Sequence, residues 1–110
     1  MPAMMRALTR SSTQRILIEA CLRDLVAFYW HGPSLLLIRR GGLESILSEL
    51  AERRLSILAL NAFDFDGTFA HPRDDLRYDA DHHPGMRGPE HAIRLWPEDV
   101  WVQVIIAETT

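Results

Sequence analysis

A chain of 110 residues, 47% hydrophobic and 25% charged, has the composition of one packed domain and excludes a disordered or low-complexity protein. Its twelve basic residues are all arginine, which excludes a Schiff-base, Walker-type or phosphate-neutralising lysine. The net charge of −3 conceals a polarity: residues 1–54 carry eight Arg against five acids, and residues 55–110 four Arg against ten, so the second half repels nucleic acid and attracts a basic partner.

Residues 1–10 carry no pattern and are expected to fray. Arg6 and Arg10 precede an apolar run broken by Glu19, Arg23 and Asp24, which makes neither a secretory core nor a membrane span. Ser11, Ser12 and Thr13 offer N-caps for a helix over 11–31, on which Leu17, Cys21, Leu25 and Phe28 share a face widened by Ile18, Leu22, Val26 and Tyr29. Gly32-Pro33 reads as its stop. So wide a face needs cover from a sheet or a second subunit. Cys21 is a lone cysteine within that pattern, read as a small core residue in a reducing, cytoplasmic compartment.

Ser34–Arg39 (SLLLIR) predicts a strand that Gly41-Gly42 closes. Leu43, Ile46, Leu47, Leu50 and Ala51 then recur at helical spacing, with Glu44 in the first turn and Arg53-Arg54 in the last, where they serve the dipole and solubility. Leu55–Leu60 (LSILAL) is apolar on both alternating faces, as a central strand requires. Strand, helix and strand with short links suggest a βαβ-like crossover, with an antiparallel arrangement as the other possibility. Asp66-Gly67 signals a turn, and Leu76, Tyr78 and Ala80 alternate beyond it, giving a long hairpin with a ragged tip that contains Pro72. Residues 81–88 (DHHPGMRG) read as loop, Pro89-Glu90 as the start of a short helix that Pro97 ends, and Val100–Ile106 as a closing strand. Trp96 and Trp101 flank the Pro97-Glu98-Asp99 turn, over the edge of the core.

The predicted fold is α+β: about four strands in a mostly antiparallel sheet, with two main helices on one side. One domain spans 1–110, made of a 34–108 core, the helix over 11–31 and the N-terminal residues.

Three constellations bear chemistry. Phe63-Asp64-Phe65-Asp66-Gly67-Thr68 resembles the nucleophile motif of haloacid-dehalogenase-type phosphatases. The resemblance implies that Asp64 attacks phosphorus and Asp66 acts as general acid and base, with magnesium. Only forty-two residues follow Thr68, however, with no lysine and with Asp74-Asp75 too close to lie on a separate strand of a doubly wound sheet. The reading from the residues is a hairpin turn at Asp66-Gly67, with Phe63 and Phe65 facing the core, and neither a catalytic group nor a cofactor. Asp79, Asp81, His82 and His83 crowd together as metal ligands do, but adjacent His on an extended segment point apart, so solvated loop side chains are expected. The third constellation is acid density. Asp64, Asp66, Asp74, Asp75, Asp79 and Asp81 fall within eighteen residues and interleave with Phe63, Phe65, Phe69 and Tyr78, a mixture of charge and aromatic anchors suited to a basic protein surface.

Across residues 34–108, a strand, the helix GGLESILSELAERR, the strand LSILALNAF, the acidic hairpin and the closing WPEDVWVQV resemble small immunity proteins of bacterial toxin systems. That resemblance implies a non-enzymatic inhibitor that covers a cognate toxin with an acidic surface. The residues expected to bind are Asp64, Asp66, Phe69, Asp74, Asp75, Tyr78, Asp79 and Asp81. Two other readings stand beside it: a minimal magnesium-dependent phosphatase-like domain, and a structural homodimer formed through the N-terminal helix.

Overall fold

Alternation along the closing strand decides which way the sheet faces: Val102, Val104 and Ile106 are buried, whereas Trp101, Gln103 and Ile105 are not. A computed structural model describes residues 12–32, 34–82 and 88–107. The N-terminal residues expected to fray, His83 and most of the 81–88 loop lie outside the described residues. The elements are α1 (Ser12–Arg23), β1 (Phe28–His31), β2 (Leu35–Arg39), α2 (Leu43–Glu52), β3 (Ile57–Phe65), β4 (Ala70–Asp79), α3 (Pro89–Ile93) and β5 (Trp101–Ile106). Short 3₁₀ turns occupy Arg40–Gly42 and Ala80–His82.

The α+β expectation holds, with five strands rather than four. They are ordered β1-β2-β5-β3-β4, and every neighbouring pair is antiparallel. β2 and β3 each run against β5, which lies between them, so β2-α2-β3 is a crossover split by the last strand. The fifth strand is β1, and it corrects the helix over 11–31. The helix ends at Arg23; Phe28 and Tyr29 pair with Ile38 and Leu37 of β2. The end is a Schellman turn. Val26 N–H reaches back to the Cys21 carbonyl at 2.8 Å, with Leu25 in the left-handed region at φ 55. α2 closes in the same way: Leu55 N–H bonds the Leu50 carbonyl at 2.9 Å, and Arg54 takes φ 58.

All three helices lie on one side of the sheet. Leu17, Ile18, Ala20 and Cys21 of α1, Leu43, Ile46, Leu47 and Leu50 of α2, and Ile93 of α3 join Leu36, Ile38, Leu60, Ala62, Val102, Val104 and Ile106 in one core. The apolar face that required cover at the sequence level is therefore half internal, because Leu17, Ile18 and Cys21 pack into this core. Burial pushes the Cys21 thiol up to about 12, so it is an inert core group.

Arg40 is a buried charged side chain. It is 6% exposed, donates from Nε to the Ile93 carbonyl at 2.6 Å, and pairs with Glu44 at 2.6 Å. It thereby ties the end of β2 to the last turn of α3 and the first turn of α2. No described helix is long and apolar enough to cross a membrane.

Candidate functional site

The FDFDGT segment is the end of β3 and the turn that follows. β3 runs through Phe65, whose partner across the ladder is Ala70, so four residues, Asp66 to Phe69, make the whole tip. Gly67 supplies φ 93 there, and the Asp66 carboxylate accepts the N–H groups of Thr68 and Phe69, each at 2.8 Å. Those two backbone donors, Phe69 first, hold the Asp66 carboxyl below its ordinary range. The tip is thus compact rather than ragged. Pro72 sits inside β4, opposite Phe63, a position open to proline because β4 is an edge strand.

The irregularity lies further along β4. Asn61 pairs with Arg77 and the next residue, Ala62, with Arg73, so residues 74–76 form a bulge. Arg73 uses its guanidinium to organise the acids around it. It grips Asp75 through two bonds of 3.0 Å and reaches Asp64 at 3.2 Å. This grip lowers the Asp75 carboxyl and raises the guanidinium itself. At the exit of β4, Asp79 accepts the Asp81 N–H at 3.0 Å and pairs with His82 Nδ1 at 3.1 Å, in that order the main causes of its lowered value. Among the described residues no three His, Cys, Asp or Glu gather as metal ligands do.

In chemical terms, the two aspartates of the phosphatase-like motif have separate duties. Asp64 faces an arginine and Asp66 closes its own turn, in a hairpin of an antiparallel sheet rather than on the doubly wound sheet that the motif implies. Of the residues expected to bind, Asp64, Asp66, Asp74, Asp75 and Asp81 are exposed, Asp79 is half-buried, and Phe69 at the tip is 62% exposed. Tyr78 is the exception. It is 7% exposed, pairs with Leu60 and packs in the core, because the alternation that exposes Arg77 turns Tyr78 toward the helices.

The aromatic half of the expected mixture is also displaced. Phe63 pairs with Trp101 on the face opposite the helices, so Phe63 and Phe65 do not enter the main core. The Phe65 ring lies 4.5 Å from Tyr29, 6.0 Å from His31 and 5.7 Å from Trp101. Tyr29 and Trp101 belong to the strands on either side of β2, so this cluster spans β2, whose Leu37 is fully buried. Arg39 stacks over Trp101 at 5.6 Å. A helix expected as far as residue 31 hides Tyr29 and His31; the alternation of Phe28 and Trp30 with Tyr29 and His31 is the signal that reveals them.

No protein-family model matches the chain, and comparison with curated proteins and with solved structures gave no match.

Proposed function

We propose that this chain acts by binding, as an immunity-type inhibitor without catalysis, and that its acidic hairpin covers a basic surface on a cognate protein such as a toxin. The observation that carries this reading is the hairpin itself: exposed Asp64 and Asp66 at its tip end, Asp74 and Asp75 in the bulge of β4 and Asp81 beyond the far end of that strand run along it, and Phe69 at the tip is 62% exposed. Side chains already ordered by Arg73 and by backbone N–H groups lose less freedom on binding than free ones. A solvated carboxylate cluster speeds encounter with a basic partner, and a projecting aromatic ring gives the contact an anchor. A cytoplasmic setting belongs to the same proposal and suits the buried, unpaired Cys21.

The test is capture and neutralisation. The purified chain is expected to retain a basic protein from its own source and to suppress that protein's activity, and the joint change of Asp64, Asp74, Asp75 and Asp81 to Asn should abolish both. Retention unaffected by those changes would remove the hairpin from the interface. Magnesium-dependent release of phosphate from a small ester, lost in Asp64→Asn, would replace the proposal with the phosphatase reading.

A further inference from the structure

We infer that residues 64–71, the outer end of the β3–β4 hairpin, open as a unit of their own, and that the Phe65 ring latches them shut against β1. The last residue of β3 with a partner on β5 is Phe63, opposite Trp101, and β4 is an edge strand. Beyond that pair the hairpin is a ribbon of two strands, which alone is marginally stable in water. Its own ladder is short. Asp66 N–H bonds the Phe69 carbonyl at 3.4 Å, so by alternation the backbone groups of Asp64 face those of His71, its partner in the register. At the base of the ribbon, β4 is interrupted by the bulge at 74–76, where a strand bends.

Two restraints tie this ribbon down. One is the Arg73 guanidinium, which joins Asp64 to Asp75 across the base; these side chains are between 32% and 64% exposed, so solvent leaves the ion pairs little strength. The other is the ring cluster. Phe65 lies 4.5 Å from Tyr29 and 6.0 Å from His31, both on β1, although β2 and β5 stand between β1 and β3 in the sheet. Contact at that distance means that the ribbon curls over the helix-free face. Leu37 of β2 is fully buried yet stands outside the helix-side core, as a side chain beneath such an arch does. Half-buried Phe65 thus joins the ribbon to the far edge of the sheet, whereas the ring neighbour of Phe69 is His71 of the same ribbon. One consequence rests on the proposed function: Asp64, Asp66 and Phe69 meet a partner in fixed positions only while the latch is closed, so apparent affinity follows the closed fraction. The latch itself stands without that reading.

Native-state hydrogen exchange on the purified full chain, read by NMR, tests the latch with no partner present. The amides of Asp64 and His71 should exchange at least about tenfold faster than those of Leu60 and Val102 in the sheet, through an opening that low denaturant scarcely promotes. Phe65→Ala should speed exchange at Asp64 and His71 by a further tenfold or so, and Tyr29→Ala should act in the same direction. Ile46→Val, which trims the core between α2 and the sheet, should speed Val102 several-fold and leave Asp64 and His71 unchanged, because the local opening keeps that contact. Protection of Asp64 and His71 equal to that of Val102 overturns the inference. So does an equal response of both groups to Ile46→Val, or no response to Phe65→Ala. A Phe65→Ala chain that does not fold makes the ring part of one cooperative core, and overturns it too. Failure to capture a basic partner would leave this exchange pattern intact, so the latch and the proposed function fail separately.

Discussion

Gly42 shows why a residue without a side chain stands at the start of α2. Its φ of −107 is open to any amino acid, so conformation does not demand glycine; proximity does, because a Cβ there would lie 2.6 Å from Val26 Cγ1 and 3.0 Å from Cγ2. Gly42→Ala should destabilise the protein by about 1–3 kcal/mol, the usual cost of overpacking, and Val26→Ala in the same chain should recover part of it. Gly41→Ala should be mild, since its nearest neighbour would be 3.6 Å away. Thermal melts of the three variants decide this; equal losses at Gly41 and Gly42 would contradict the steric account. At the hairpin tip the controlling interaction is electrostatic. The Asp66 carboxyl is held low by the Phe69 and Thr68 N–H groups, and Asp75, Asp79 and Glu49 are also lowered, Glu49 by Arg23 and then Arg53. A group whose folded pKa is depressed stabilises above its ordinary value and loses that contribution as pH falls through the folded value. Melting temperature should therefore be flat from neutrality to about pH 5 and decline below about pH 4, less steeply in Asp66→Asn, whose amide oxygen accepts without titrating. An Asp66→Asn chain with the full acid decline would show that this carboxylate contributes nothing.

At the scale of elements, the end of α1 is the main departure from the pattern in the sequence. Helix ends are recognised by glycine at the left-handed position, and here that position is Leu25, 90% exposed at φ 55. Gly32, the residue that looked like a stop, also takes positive φ at 67, but it turns β1 into β2. Apolar residues at 25, 26, 28 and 29 extend a helical stripe as readily as they start a strand, and the aromatic run Phe28-Tyr29-Trp30 was the cue for the strand. Leu25→Gly should stabilise the protein by about 0.5–1 kcal/mol, since it relieves a left-handed leucine and removes an exposed apolar side chain. Chemical denaturation measures this directly, and a loss of stability would mean that Leu25 has a packing role in the folded chain. The elements with unambiguous periods were legible. α2 begins at Leu43 as its spacing predicted, α3 has Pro89 at its first position, and β5 alternates as read. β3 runs on through Phe65, five residues past the expected end at Leu60, because Phe63-Asp64-Phe65 has the look of a motif rather than of a strand.

For the whole molecule, the sequence located the acids but not their neighbours. Six aspartates close together in the chain announce an acidic hairpin, and five of them are exposed along it. Where the aromatics go depends on which face of β3 the helices cover, and that is settled by pairing with β5, about forty residues later. Period-two alternation separates the faces of a strand without saying which one is inward when both are apolar. Hence the pattern alone puts Tyr78 outward and Phe63 inward, each opposite to its place. The resulting molecule has two surfaces of different character: a charged hairpin on one flank, and a sheet face opposite the helices that carries Tyr29, Phe65 and Trp101 in contact.

The central claim is that the hairpin is the recognition surface. The most direct measurement is the association rate of the captured basic partner with the purified chain as ionic strength rises, for the wild type and for the variant with Asp64, Asp74, Asp75 and Asp81 changed to Asn. The wild-type rate should fall at least about tenfold between low and high salt, and the variant should start near the high-salt rate and change little. Identical rates and identical salt dependence for the two chains would contradict the claim.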